Sequence, residues 1–335
     1  MTPAARAAVV DGMARWANPS SPHAEGRAAR AALEDARARI AAAYGWTGEV
    51  LLTSGASEAL AIALGRGQAG RRVISAVEHD AVFRAAPAPE VLRVGDDGLI
   101  DPAAIAVRSG DLICVQWANS ETGVRQPLDA IAAAVRAAGA CLLVDAAQMP
   151  AGQPLPAADF VAVSAHKRGG PPGVGALLVR DLATLTPTGG QERGYRAGTE
   201  NLPGALAFAA ALEEPERDHA PLRARLDDAI ARSGGEIVAG GSPRHPAIGS
   251  YRLTGVPATA QLIRLDMAGF AVSAGSACSS GSMKPSHVLA ALGWTETAGR
   301  EVIRVSFGRT TTADEVEAFI AAWRQMARET RRFAA

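Results

Sequence analysis

Lysine is nearly missing from this chain. Of 34 basic side chains only Lys167 and Lys284 are lysines, and every other positive charge is an arginine. Equally absent is an excess of one charge: 34 basic residues balance 34 acidic ones, with no basic tract or acidic tail. That argues against direct nucleic-acid or polyanion binding. No apolar run approaches the roughly 20 residues that span a bilayer, and Met1 to Arg15 lacks the apolar core of a signal peptide. A cytoplasmic protein with no membrane association is therefore expected. Cysteine is scarce: Cys114, Cys141 and Cys278 are an odd number without CxxC spacing, which points to neither a disulfide framework nor a zinc site. Cys114 and Cys141 lie in apolar runs and read as core residues, whereas Cys278 does not.

What is present suits an ordinary globular protein of roughly two domains, with 335 residues, 48% hydrophobic and 20% charged. Between Glu25 and Tyr44 the spacing of Leu33, Ala36, Ile40 and Tyr44 predicts an amphipathic helix stopped at Gly45. Short apolar runs then alternate with helical stretches: Val50 to Leu52, Val73 to Ile74, Leu112 to Val115, Leu142 to Val144, Phe160 to Val163 and Ala176 to Val179. Strands apolar on both faces and separated by helices predict a mainly parallel sheet covered on both sides. The composition turns charged around Glu214 to His219, which places a domain boundary at 215/216. Beyond it the pattern predicts helices over Pro221 to Ala231 and Ala258 to Ala268, and strands over Ala247 to Leu253 and Val302 to Val305. A Ser/Gly-rich loop covers Ser273 to Ser282, and the last helix opens on Thr312 and Glu315 in capping-box spacing. A large α/β domain (1–215) and a smaller α+β domain (216–335) follow.

Lys167 stands between an apolar run and a Gly/Pro-rich turn, and an amine can lose its proton and attack a carbonyl where a guanidinium cannot. Thr53 to Glu58 follows a strand and opens a helix, so its small residues either seat a phosphate at the helix start or simply cap it. Asp145 ends a strand, where ligands of open α/β sheets bind; it fits the partner of a protonated ring nitrogen as well as it fits a cap. His79 could stack on an aromatic cofactor or be structural. Nothing in the loop Gly275 to Ser282 is large enough to pack, so Cys278 reads as an exposed thiol, nucleophilic or accidental. Arg304, inside a strand-like run, calls for a carboxylate partner, either from a substrate or from the protein.

Taken in order, these stretches resemble the pyridoxal-phosphate-dependent cysteine desulfurases of the NifS/IscS type, within the class V aminotransferase-like group. The resemblance rests on Asn18-Pro19-Ser20-Ser21-Pro22-His23, Thr53 to Glu58, Val77-Glu78-His79, Asn119-Ser120-Glu121-Thr122-Gly123, Asp145-Ala146-Ala147-Gln148, Ser164-Ala165-His166-Lys167, Gly189-Gly190-Gln191-Glu192-Arg193, Arg196 to Asn201, Gly275 to Ser279 and Arg304-Val305-Ser306. It implies a fold-type I transferase with a mainly parallel seven-stranded sheet and a smaller C-terminal domain. It further implies that Lys167 binds the aldehyde of pyridoxal 5'-phosphate, that Asp145 pairs with the ring nitrogen, that Gln148 bonds the phenolic oxygen and that His79 stacks on the ring. Ala56, Ser57, Ser164 and His166 would hold the phosphate, with Thr199 reaching it from the partner subunit of a homodimer; Asn119 and Ser120 would also contact the cofactor. Arg304 would take the α-carboxylate of L-cysteine. Cys278 would accept the sulfur as a persulfide for an iron–sulfur scaffold or a tRNA-thiolation enzyme. Three departures stand out: the family's opening strand, with its Leu-Asp-Tyr-x-Ala-Thr-like pattern, is absent, so either the start lies upstream or the small domain lacks an edge element that helps wall the substrate site; Ser120 replaces the family's second asparagine; and Ser57 stands where the family often has threonine, followed by Glu58-Ala59-Leu60 in place of a more polar continuation. A related lyase such as a selenocysteine lyase, an aminotransferase, or a non-catalytic scaffold partner are the alternative readings.

Overall fold

The computed structural model describes residues 1–275 and 285–334, with side chains through residue 329. Seven strands form the larger sheet: β1 (Glu49–Thr53), β2 (Arg72–Ser75), β3 (Glu90–Leu92), β4 (Leu112–Gln116), β5 (Cys141–Asp145), β6 (Phe160–Ser164) and β7 (Gly175–Val179). Their order is β1-β7-β6-β5-β4-β2-β3, and β7 runs antiparallel to both of its neighbours while the pairs from β6 to β3 are parallel. Alternation along each strand explains the apolar runs. In β6, Val161 and Val163 enter the core beneath the helix α2 (Ala24–Ala43), whereas Phe160 and Ala162 pack on the opposite face with Leu60 and Leu64 of the helix Ala56–Arg66.

The six expected strands are all present. The seventh, β3, escaped notice because it is a three-residue edge strand with Glu90 and Val91 exposed, so it carries no apolar pattern. At the N-terminus, the helix α1 (Pro3–Ala14) is capped by the Thr2 hydroxyl and packs on the helix Leu202–Glu213. Gly12 allows the close approach, since a Cβ there would lie 2.8 Å from Pro203 Cα.

The smaller sheet is antiparallel, β10 (Ser273–Ala274), β11 (Val302–Ser306), β9 (Ile248–Arg252) and β8 (Glu236–Ile237) in spatial order. Leu226 and Ile230 from one helix and Phe319, Ile320 and Trp323 from the last helix cover Tyr251 and Ile303. The capping box holds, with Glu315 N–H donating to Thr312 Oγ1 (3.3 Å) and Thr312 N–H donating to Glu315 Oε2 (2.8 Å). One expectation is corrected here: Ser273 and Ala274 are not loop but pair with Arg304 and Ile303. Their small polar composition hid a two-residue edge strand.

The two sheets meet where residues 243–248 cross the turn 119–126. His245 N–H donates to Gly123 O (2.7 Å), its Nδ1 accepts from Ala247 N–H (3.0 Å), and its ring stands edge-on to Trp117. Burial, reinforced by Arg168, Arg125 and Arg223, pulls the His245 pKa down to about 4. The folded state thus refuses a proton that the unfolded chain binds below about pH 6.5, so stability is intact above that pH and drains away as pH falls toward 4. We expect His245 to account for about 3 kcal/mol of that loss. His245→Asn, which can keep the bond to Ala247 N–H, should flatten the slope of urea stability between pH 6.5 and 4; an unchanged slope would exclude His245 as the cause.

Candidate active site

The carboxyl ends of β1, β2, β4, β5 and β6 open on one cavity of about 440 Å³, the place where an α/β sheet binds ligands. Chain direction alone delivers most of its lining. The end of β1 runs through Ser54-Gly55 into the helix α3 (Ala56–Arg66). Gly55 has φ +150° and a missing side chain that would point to 3.8 Å from Ser164 Oγ; a Cβ there would fill the space between helix start and strand end. Gly175 brings β7 against the same spot, since a Cβ on it would meet Gly55 Cα at 2.6 Å. The start of α3 has no side-chain cap, and Ser57, Ser164 and His166 line the cavity around it, with Ser164 Oγ 2.9 Å from His166 Nδ1. Hydroxyls, an imidazole and a helix N-terminus make a donor set suited to a phosphate.

Lys167 ends a single 3-10 turn after β6. Its neighbours are locked: Arg168 N–H and Gly170 N–H both donate to Ala165 O, at 2.8 and 2.9 Å, and the Arg168 guanidinium reaches Glu216 at 3.1 Å. The amine is therefore presented to the cavity by a turn anchored through the buried Ala165 and Arg168. Across from it, Asp145 at the end of β5 accepts from Ala147 N–H (3.0 Å). Burial raises its pKa, partly offset by that bond and by the nearby His79 and Lys167. His79 caps the helix Asp80–Ala85 by accepting Ala81 N–H on Nδ1 (3.1 Å), which fixes the ring. Burial lowers its pKa against the pull of Asp145 and Asp80, so the ring is held neutral. Both readings of His79 are thus met, cap and cavity wall. Gln148 and Ser120 complete the lining.

Arg304 projects from β11, donating to Ser120 O (3.0 Å) and Ser273 Oγ (3.2 Å) while lining the cavity. The smaller sheet thereby supplies one cation to a site built on the larger.

Two expectations, for Asn119 and Cys141, meet a different geometry. Asn119 does not line the cavity: its Oδ1 accepts from Glu121 and Thr122 N–H (2.9 and 2.8 Å) and its Nδ2 donates to Val77 O (2.9 Å), so the amide holds the turn that presents Ser120. Thr199, whose expected role is at a partner subunit's site, is exposed and lies outside its own chain's cavity. Cys141 opens β5 at the sheet's margin and is half-buried, unlike the wholly buried Cys114. Cys278 lies outside the described residues. Reading by residue type overlooked Gln116, on the cavity wall, and Glu78, behind it. Glu78 had a signal, an acid directly after an apolar run, but its motif drew attention to His79 instead.

The residues present fit pyridoxal phosphate: a phosphate seat at α3, an amine within the same cavity, and a buried carboxylate at the far wall for a protonated ring nitrogen. A family model described as aminotransferase class-V matches residues 7–319. The chain belongs to that family. Within it the relatives are cysteine desulfurases. The enzyme of Frankia sp. (strain EuIK1) so named is 36% identical over 345 residues, covering 90% of this chain and 82% of its own length. The putative cysteine desulfurase IscS 1 of Bacillus subtilis is 36% identical over 90% of this chain and 89% of its own. Among solved structures, the NifS-like protein of Rickettsia africae ESF-5 aligns with a TM-score of 0.87 and 28% identity, over 97% of this chain and 96% of that one. In this chain Lys167, Asp145 and His79 line one cavity. Among the described residues no helix is long and apolar enough to cross a membrane, and no cluster of His, Cys, Asp or Glu could hold a metal ion.

Proposed function

We propose that this enzyme converts L-cysteine to L-alanine and passes the sulfur to Cys278 as a persulfide, for onward delivery to an iron–sulfur scaffold or tRNA-thiolation protein. In this reading it works as a cytoplasmic homodimer, with Thr199 reaching the partner's phosphate seat, residues 1–215 holding the cofactor and residues 216–335 carrying Cys278. The observation that carries it is the meeting of Lys167, Asp145, His79 and the seat at α3 with Arg304 in one cavity.

When bound, pyridoxal phosphate supplies an electron-withdrawing ring that stabilises negative charge on the substrate α-carbon. Asp145 is buried, which raises its pKa, and the Ala147 N–H and the Lys167 amine act against that rise; a ring N–H⁺ bound here would pair with its carboxylate. Neutral His79 offers a flat face without adding charge. Gln148, on the same cavity wall, would donate to the cofactor's phenolic oxygen. Arg304 receives the α-carboxylate, which selects amino acids over simple thiols. Lys167 would hold the cofactor through its aldehyde, and its amine, lining the same cavity, would carry the substrate's α-proton. The Cys278 thiol gives up its proton and attacks the substrate sulfur. As the S–S bond forms the Cβ–S bond breaks, the carbon keeps the electron pair and gains a proton, and alanine leaves.

Arg304→Ala is expected to raise KM for L-cysteine by about 10- to 100-fold, the worth of a charge-assisted pair, with little change in the cofactor's visible absorbance. Turnover of cysteamine, which has no carboxylate, should be untouched. Equal losses on both substrates would remove Arg304 from substrate binding, and absence of alanine from wild-type turnover would reject the function itself.

A further inference from the structure

Two carboxyl groups, not one, sit under this cavity. Asp145 is registered opposite Gln116 in the β4–β5 ladder, and on the other side of Gln116 the Glu78 carboxylate accepts its N–H through Oε1 (2.9 Å). The acids therefore flank one strand end at about an interstrand spacing on either side. Glu78 is 0% exposed, and its Oε2 has no hydrogen-bond partner among the described residues. No ion pair with an arginine, lysine or histidine is made by Glu78 among those residues. Asp145, by contrast, has a backbone donor in Ala147 and the Lys167 amine and His79 ring within electrostatic reach.

We propose that Glu78 is held as a neutral carboxylic acid and acts as a positioning residue, fixing the end of β4 through Gln116 while leaving Asp145 the only carboxylate beneath the ring. Two buried carboxylates this close cannot both ionise without strong mutual repulsion, and the proton settles on the one lacking cations. The groups that bear on Glu78 are Asp145 on β5, Cys114 on β4 and His287, whose Nε2 lies 2.8 Å from Glu78 O; His79 and Asp80 follow it along the chain. Burial first, then Asp145, pushes the Glu78 carboxyl well above the usual range. A second charge here would drive Asp145 toward its own neutral form and leave a ring N–H⁺ without its counter-ion.

The inference rests on the cavity being the cofactor site, but its test needs no turnover. Infrared spectra of cofactor-free protein at neutral pH should show a protonated-carboxyl C=O band that vanishes in Glu78→Gln. Because the folded chain keeps on Glu78 a proton that the unfolded chain releases above about pH 4.3, the Glu78 contribution to wild-type stability falls as pH rises, and the variant lacks that one loss while sharing every other titration. The melting temperature of Glu78→Gln should therefore climb relative to wild type from pH 4 toward 7. Its cofactor affinity should stay within about threefold, with the pH midpoint of the visible band unmoved. A wild-type spectrum without the band, or a variant whose affinity falls tenfold with a displaced midpoint, would overturn the proposal. Should the variant fail to fold, ¹³C-glutamate labelling of wild type decides: the band must shift with labelled glutamate, and a shift only with labelled aspartate would assign the proton to Asp145 instead.

Discussion

Lys167→Ala should bind pyridoxal phosphate but hold it only as a dialysable ligand, and should lose turnover by about 10⁴-fold or more. The phosphate seat at the start of α3, with Ser57, Ser164 and His166, is built independently of the amine, so affinity survives in part. What disappears is the covalent attachment and the base at the α-carbon, and the locked turn brings no substitute within range. Arg168 is tied to Glu216, and Lys284 lies outside the described residues. The visible spectrum of the purified variant, before and after dialysis, checks the first half, and alanine formation checks the second. Activity above about a hundredth of wild type would show that another group does this work.

Arg37→Leu should cost about 3–5 kcal/mol of stability without touching the cavity. Arg37 on α2 reaches Glu192 at 2.6 Å, and the Glu192 side chain is 0% exposed. The same carboxylate accepts Leu52 N–H at 2.9 Å, while Arg37 donates to Val50 O at 2.5 Å, so the pair staples α2 to β1. Leucine leaves a buried carboxylate with one backbone donor, which is worse than having neither partner. Accordingly, Arg37→Leu combined with Glu192→Leu should recover much of the loss in urea melts. If the single variant stayed within about 1 kcal/mol of wild type, the pair would be ornamental.

Legibility in the sequence followed burial. β4, β6 and β7 are buried along their whole length, so their apolar runs announced them; β3, β8 and β10 lie at sheet edges, where two or three residues with exposed or polar side chains leave no period to detect. In the site, Lys167 stood out because lysine is rare here, and Asp145 because it ends an apolar strand. Asn119 was misplaced by type: an amide in a ligand-binding turn suggests contact, but its oxygen is spent on the turn and its nitrogen on Val77 O. Glu78 and Glu192 were quoted in motifs without a role, since a buried acid is defined by partners such as Gln116 and Arg37, which lie 38 and 155 residues away along the chain.

The most direct test joins the cavity to Cys278. Purified enzyme loaded with pyridoxal phosphate is given L-cysteine without reductant, and alanine is quantified alongside the mass of the peptide carrying Cys278. Alanine should appear together with one added sulfur atom on that peptide, and Cys278→Ala should form neither while keeping the cofactor's visible absorbance. Alanine produced at the wild-type rate by Cys278→Ala would contradict the account and return the chain to the lyases that release sulfur without a protein thiol.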